Sequence, residues 1–410
     1  MKRSHFRTTY LPVLMLWFVI AIPYTLRTPD DAYTHDFLGH VQYTQFLHLQ
    51  GRLPQPGEGA EAHQPPLYYL IASRLACTSP HHVLYVRLLS VLLGAFVLFL
   101  LESTLRVLGF GAFPRLLSLT FLATTPHFLF IFSTYNNDAL AVFWGVCLWA
   151  LFVPFVEKPS RKLALGLGIA SLAGFFTKFS FVSAWFAVGA AALYLKGRGR
   201  LKLGAFNRCL IALAAGLPLA LAWMFFHNYQ RTGHWALIPM NLPLQRLPHS
   251  PWETVLTPPG FTSWEWVTPF TDHSLPVGKK NSLTAYLLAS SVFGEHAFHQ
   301  IQDFWLWFIF WVHTVWLAAG LMQLRRSRWL SAMGIAVGVG WLAVARYVLS
   351  VPFATSMDFR YIAWVWVPLL VLQTQALEHP ADGLRNGWKR FFLTLILLCV
   401  LAQWAMITLL

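Results

Sequence analysis

Two carboxylates and two cations stand out by type and by place. Asp36 and Asp138 border apolar runs, and Lys178 and Arg360 lie at the ends of others. A carboxylate at a membrane boundary is costly to desolvate, which makes it a candidate for chemistry rather than packing. A positioned carboxylate can take a proton from an attacking group. An arginine fork or a lysine ammonium can hold an anion. Plain alternatives stand beside these readings. Asp138 closes the run Ser133-Thr134-Tyr135-Asn136-Asn137, and Asn and Asp both favour helix starts, so it could be a cap. Lys178 and Arg360 could be cations snorkelling to an interface.

The neighbourhood of Asp36 is rich in polar groups. Asp36, His40 and Tyr43 stand at i, i+4 and i+7, so a helix over 36–51 puts them on one face. On that helix Phe37, Val41, Thr44, Leu47 and Leu49 are expected to turn toward lipid. The stretch His63-Gln64-Pro65-Pro66-Leu67-Tyr68-Tyr69 follows, and its proline pair is expected to start the next helix. His35, His40, His48 and His63 invite a divalent metal because Asp36 and His40 have i, i+4 spacing. No cofactor is expected, with a divalent metal kept as the lesser reading.

The elements that must position these groups follow from composition. Of 410 residues, 57% are hydrophobic and 11% charged. A soluble domain usually carries about 25% charged residues. The net charge of +14 could suggest nucleic acid, but Lys and Arg sit in short clusters between apolar runs, the pattern of cytoplasmic loops. Cys77, Cys147, Cys209 and Cys399 show neither metal-ligand spacing nor a disulfide framework.

About 20 apolar residues cross a bilayer as a helix. On that rule eleven spans are expected, at 10–27, 84–105, 116–133, 139–156, 163–177, 179–195, 206–227, 302–323, 330–350, 361–377 and 391–410. The first reads as a signal anchor. With the N-terminus inside, 19 of the 30 basic residues fall on inner segments and 12 of the 16 acidic ones outside. Two long outer segments, about 28–82 and 228–301, contain apolar stretches too short to cross, Pro65–Ala76 and Ala285–Gly294. Such stretches read as interfacial helices. The expected fold is an all-α polytopic membrane protein forming a single domain over 1–410, with no soluble C-terminal domain. In this orientation Asp36, Asp138, Lys178 and Arg360 map to one membrane face.

These motifs, in this order, resemble those of the GT-C superfamily of polyprenyl-phosphate-dependent glycosyltransferases. Nearest in pattern are bacterial relatives of protein O-mannosyltransferase and of the lipid A aminoarabinose transferase. Asp36 lies 15 positions before Gly51, and HQPPLYY follows, like the acidic and (K/H)PPLYY-like motifs of that family. Asn136-Asn137-Asp138 is similar to its second acidic site. Phe176-Thr177-Lys178 is similar to its Thr-Lys turn, Phe359-Arg360-Tyr361 to its Gly-Arg-Tyr motif, and Val292-Phe293-Gly294-Glu295 to a Phe-Gly-Glu stretch. Many members have an adjacent Asp-Glu pair, whereas Phe37 follows Asp36 here. The Asp30-Asp31 pair is the rival alignment for the base.

The resemblance implies an inverting hexosyl or pentosyl transferase. It would move a monosaccharide from a polyprenyl-phosphate lipid to an acceptor hydroxyl at the outer membrane face. It implies Asp36 and Asp138 as catalytic residues and Arg360 with Lys178 as donor-phosphate ligands. Substrate contacts would come from His40, His63, Gln64, Tyr68, Asn137, Tyr361 and Glu295. The partners are then the lipid donor, an acceptor that could be a glycolipid, protein or polymer, and membrane lipids, with no nucleic acid. A bacterial plasma membrane is the expected location, with the N-terminus cytoplasmic and the site facing the periplasm or exterior. The alternative is a multi-pass transporter or lipid flippase. Transporters usually carry repeats and charges near the midplane, and neither is visible here. A polysaccharide polymerase or ligase is a third reading, disfavoured by HQPPLYY after the first span.

Overall fold

The computed structural model describes residues 4–30, 36–75, 79–230, 250–257, 282–294, 303–352, 357–379 and 387–409. Among these residues there is no strand. The helices are α1 (Ser4–Arg27), α2 (Phe37–Gln50), α3 (Leu67–Arg74), α4 (His82–Val107), α5 (Ala112–Ala123) and α6 (Pro126–Ile131). Next come α7 (Asp138–Glu157), α8 (Arg161–Phe175), α9 (Val182–Gly197), α10 (Leu203–Ala214) and α11 (Leu217–Trp223). The rest are α12 (Pro251–Leu256), α13 (Leu283–Phe293), α14 (Asp303–Leu321), α15 (Arg328–Ser350), α16 (Trp366–Glu378) and α17 (Gly387–Leu409). The chain is a polytopic all-α membrane protein. Its apolar surface shows the solvent: on α1, Leu11, Met15, Val19, Ile22 and Leu26 form an exposed stripe at heptad spacing, while Val13, Trp17, Ile20 and Tyr24 are buried. A stripe of large apolar side chains facing outward is stable only in lipid.

Seven of the expected spans are helices long and apolar enough to cross a bilayer, judged among the described residues. The other four expected positions are also helical. The run at 116–133 divides into α5 and α6. Pro126 has no N–H to continue the ladder, and the Thr124 and Thr125 hydroxyls bond back to the carbonyls of Thr120 and Phe121. The run at 163–177 forms the 15-residue α8. The run at 361–377 opens as a 3-10 turn, Phe359–Val365, before α16 begins. The last expected span falls in α17, where Leu393–Ala405 is the apolar part. The expected span at 206–227 is present but bends at Ala215-Gly216, just ahead of Pro218, and ends as a π-helix, Met224–Tyr229. The two interfacial stretches are α3 and α13, both too short to cross.

The chain groups into two compact units. The first comprises Met1–Ile20, Leu101–Phe130 and Leu244–Leu410. Its core packs Leu117 and Phe121 of α5 against Val292 and Phe293 of α13, Ile309 and Trp316 of α14, and Ile396 of α17. Helices α14 and α16 approach so closely at Gly320 that a Cβ there would overlap the Leu372 carbonyl. The Trp316 indole donates to the Gln373 carbonyl at 2.7 Å beside this crossing. Arg115 and Glu102, both buried, pair at 3.3 Å. The Glu378 carboxylate accepts from the Gly111 amide at 2.9 Å.

The second unit comprises Ala21–Leu100 and Ile131–Pro243. Helices α7 to α11 form its bundle. Gly216 lies against the Leu172 backbone of α8, where a Cβ would meet N and Cα at 3.0 Å. The Leu213 carbonyl, in the last turn of α10, accepts from Ser171 Oγ at 2.7 Å and from the Trp185 indole at 2.6 Å. Side chains of two neighbouring helices thus satisfy a carbonyl beside the break in the ladder, as an apolar solvent requires.

Gly320→Ala should lower stability by about 1–3 kcal/mol, because the clash is with backbone and no rotamer relieves it. Gly338→Ala, on an exposed part of α15 with nothing within 4 Å of its Cβ position, should instead stabilise by roughly 0.5–1 kcal/mol. Thermal unfolding of both variants in one detergent checks the opposite signs.

Candidate active site

The second unit assembles most of the polar candidates. Helix α2 runs between the two expected markers: Asp36 at its N-cap position and Gly51 as a left-handed C-cap with φ 63°. The Gly51 amide closes the last turn on the Leu47 carbonyl at 3.1 Å. One α2 face carries His40, Tyr43, Thr44 and Leu47, all buried. Thr44 and Leu47 therefore point inward, not to lipid as expected. The Tyr135 hydroxyl donates to Thr44 Oγ1 at 2.8 Å, which explains the polar side chain on the inner face.

The proline pair works through what it lacks. Pro65 and Pro66 have no N–H, so Leu67 is the first residue of α3 with a donor. That amide bonds to the Phe176 carbonyl at 2.8 Å. HQPPLYY is thereby fastened to the Phe176-Thr177-Lys178 turn. From this turn Lys178 Nζ reaches Asp138 Oδ1 at 2.7 Å, with both side chains about nine-tenths buried (10% and 6% exposed). Asp138 opens α7 but does not cap it. Asn136 Oδ1 accepts from the Ala139 amide at 3.0 Å, leaving the carboxylate to the lysine.

Tyr69 of α3 is the hub. Its hydroxyl lies 2.9 Å from His40 Nδ1 and 3.5 Å from Asn137 Nδ2, and the Tyr43 ring stacks on it at 3.7 Å. The asparagine amide can only donate, so the tyrosine O–H donates to Nδ1 and the imidazole proton falls on Nε2, an assignment from the network. Burial pushes the His40 pKa down, while Glu61, Asp36 and Asp138 oppose that shift and Lys178 adds to it. Burial also drives the Tyr69 phenol well above its ordinary range. Tyr68 packs edge-on to Tyr69 and Tyr135. Its buried hydroxyl has no hydrogen-bond partner among the described residues, nor does Asn137 Oδ1.

The loop ahead of the prolines supplies three more groups. His63 Nδ1 bonds the Ala60 carbonyl at 3.0 Å, and Gln64 Nε2 lies 3.2 Å from His63 Nε2. Burial pushes the His63 pKa down to about 4. Glu61, buried, lies against α2 at Gly39, where a Cβ would meet its Cγ at 2.8 Å. The π-helical turn Met224–Tyr229 presents His227, whose Nε2 bonds the Ala62 carbonyl at 3.0 Å and whose ring stacks on Trp223. Asp30, half of the rival acidic pair, is tied to Arg87 at 2.9 Å. Arg87 also donates to the carbonyls of Thr28 and Ser133, the work of a loop clamp.

Arg360 and Tyr361 belong to the first unit. Asp358 caps the 3-10 turn, accepting from the Arg360 amide at 2.8 Å, and its other oxygen lies 3.4 Å from Arg360 Nε. The guanidinium stands 5.2 Å from the Tyr361 ring centre, with one terminal nitrogen 3.4 Å from the phenol oxygen. Behind Asp358, fully buried His127 places Nε2 4.0 Å from the carboxylate and bonds the Ser290 carbonyl through Nδ1. Glu295, Asp31 and His35 lie outside the described residues.

Three of these residues were absent from the sequence-based candidates. Asp358 had a signal, since an Asp just before a 3-10 turn with an Arg at +2 is a cap. His127, alone in an apolar run, had a weaker one. Glu61 had none, sitting in a Gly- and Ala-rich acidic loop that reads as solvated. Among the described residues no three His, Cys, Asp or Glu side chains are grouped to hold a metal. His40 is committed to Tyr69 and His63 to Ala60, and His48 is exposed on the far side of α2.

No family model matches the sequence, and no curated protein sequence does. Solved structures do match. The archaeal oligosaccharyltransferase AglB from Archaeoglobus fulgidus, in complex with an inhibitory peptide and a dolichol-phosphate, superposes with a TM-score of 0.54. The match is 12% identical and covers 99% of this chain and 55% of that one. The arabinofuranosyltransferase AftD from Mycobacteria gives a TM-score of 0.50 at 13% identity, covering 99% of this chain and 26% of AftD. The chain carries the GT-C fold. It spans about half the length of AglB, and its GT-C likeness at such identity is a likeness of fold. ArnT from Cupriavidus metallidurans, bound to undecaprenyl phosphate, gives a looser match, with a TM-score of 0.41 over 93% of this chain and 79% of ArnT at 13% identity.

Asp138→Asn or Lys178→Met alone should cost about 3–5 kcal/mol, since each strands a buried partner. The double variant should lose less than the two singles together. Thermal unfolding of the three proteins in detergent checks this, and additive losses would show that the pair does not act as one unit.

Proposed function

We propose that this protein is a membrane glycosyltransferase that moves a monosaccharide from a polyprenyl-phosphate lipid to an acceptor hydroxyl, with inversion at the sugar carbon. One observation carries the reading. On a GT-C scaffold, Asp36, His40, Glu61, Asp138 and Lys178 gather closely enough for His40 to feel all four of the others. The same fold houses an oligosaccharyltransferase seen with dolichol-phosphate, which supports a lipid phosphate as the donor here.

In this reading the acceptor oxygen attacks the anomeric carbon and its proton passes to Asp36. The bond from that carbon to the phosphate oxygen breaks, and the phosphate keeps the electron pair. Asp36 is assigned the task as the acid at the head of α2, within electrostatic reach of His40; its rival Asp30 is tied to Arg87. Developing charge on the leaving phosphate needs fixed cations in a water-poor site. Arg360, paired with Asp358, is the cation of the first unit assigned to the phosphate. Asp138 acts as a positioning residue that fixes Lys178. Tyr68, His40, His63, Gln64 and Asn137 line the sugar and acceptor side, with Tyr361 beside Arg360. The distribution of basic residues supports work at the exoplasmic face, and a bacterial plasma membrane is the location in this reading.

Asp36→Asn should lower transfer by about 10²–10⁴-fold, the usual worth of a general base, with the unfolding midpoint and donor-lipid affinity unchanged. Retained transfer would remove Asp36 from the role. Arg360→Ala should weaken binding of a polyprenyl-phosphate lipid roughly tenfold or more, as loss of a charge-assisted hydrogen bond does. A lipid-binding titration in nanodiscs reads this directly, and an unchanged affinity would refute the phosphate role.

A further inference from the structure

The buried carboxylate of Glu61 has a singular setting. Asp138 holds Lys178 at 2.7 Å, Asp358 holds Arg360 and Glu102 holds Arg115, each a buried acid with a cation of its own. Glu61 is buried as well, yet among the described residues no lysine or arginine lies within ion-pair distance of it. Lys178, whose charge Glu61 feels, is paired with Asp138. Facing Glu61 are Asp36 and His40 from α2, Gln64 from its own loop, Tyr69 from α3 and Lys178 from the turn after α8. His63 completes the loop, and the His227 bond to Ala62 pins the next residue. Gly39 gives the glutamate its seat, since no larger side chain leaves room for Cγ there.

We propose that Glu61 works as a neutral carboxylic acid: it keeps its proton, donates a hydrogen bond to a hydroxyl of the bound sugar, and leaves Asp36 as the charged member of the pair. This rests on the reading of the site as a sugar-transfer centre. A charged carboxylate that is buried without a cation is costly, and such a group neutralises instead. Burial is the largest influence on Glu61 and raises its pKa; His40, next in size, lowers it, Asp36 raises it, and Lys178 and Gln64 lower it by less. Where one of two neighbouring carboxyl groups is kept neutral by its surroundings, the pair divides into one acid and one base. The division suits the substrate. A donor that arrives with a phosphate anion meets one fewer negative charge, and the sugar gains a donor where an ionised glutamate could only accept.

Infrared titration of the full-length protein in nanodiscs tests the protonation state without any substrate. A protonated carboxyl band present at neutral pH, lost as pH rises and missing from Glu61→Gln, is the expected result. Its absence from the wild type at neutral pH would overturn the proposal. The pH–rate profile of sugar transfer tests the role. Wild-type activity should fall as pH rises through the titration of that band, because the neutral donor form is lost. Glu61→Gln cannot ionise yet still donates, so it should lose no more than about tenfold near neutral pH and show no such alkaline fall. Glu61→Ala, with no donor, should lose roughly a hundredfold, the worth of one strong hydrogen bond in a transition state. A dead Glu61→Gln with an intact fold, or one that keeps the wild-type alkaline limb, sinks the donor role. If the band behaves as expected but no polyprenyl-phosphate sugar is turned over by the wild type, the transferase reading fails and the state of Glu61 stands.

Discussion

A charge held away from water must have a partner, and this rule organises the polar interior. Lys178 lies on Asp138 and Arg115 on Glu102, with both partners of each pair buried. Arg87, 2% exposed, is met by Asp30 and two backbone carbonyls. Such pairs rarely add net stability over apolar residues of the same size, but breaking one is expensive. They therefore act as registration pins. The Lys178 pin fixes the turn after α8 against the start of α7. The Asp358 pin fixes the arginine fork relative to its own backbone, since one carboxylate grips both the Arg360 amide and its side chain.

Backbone groups obey the same rule and give the loops their order. The stretch from Gly57 to Pro66 is irregular, yet it is held by the Ala60 carbonyl on His63, the Ala62 carbonyl on His227 and, where it enters α3, the Leu67 amide on Phe176. Each of these bonds satisfies a group that an apolar surrounding would otherwise leave exposed. The result is a polar loop pre-set against α2, α8 and the π-helical end of the fifth crossing helix. A π-helical turn is a common device for bringing one side chain to a place that regular α-helical spacing would miss, and here that side chain is His227.

Much of this was legible in the sequence, for physical reasons. Apolar runs of bilayer length gave seven crossing helices at nearly the expected boundaries, because length and hydropathy are the whole requirement. Asp36 and Gly51 marked the two ends of α2, because a left-handed C-cap favours glycine. The pairing of Asp138 with Lys178 shows only in the structure, because separation in sequence hides which charges meet. What misled was lipid-facing polarity on α2. Thr44 and Leu47 were placed outward by helical spacing alone, but a second buried surface, headed by Tyr135, takes them. The run at 116–133 is divided by local chemistry, Pro126 after two threonines, which a sum over hydropathy does not register. Glu61 was hidden because nothing in GEGAEAHQPP says that the loop folds inward.

Fold similarity at 12% identity over 99% of the chain says which features the scaffold tolerates losing. Lipid-facing positions need only be apolar, so they drift freely, and interior positions need only keep volume. A fold maintained by such permissive rules outlives its sequence, and it carries no memory of which side chains do the chemistry. The residues that remain informative are those whose identity geometry dictates. Gly39 must lack a Cβ for Glu61 to lie where it does. Pro65 and Pro66 must lack N–H groups so that the first free amide of α3 falls on Phe176. Asn136 must cap α7 so that Asp138 is released to Lys178. Each is a constraint imposed by the polar cluster rather than by the bilayer, and all of them lie in the second unit.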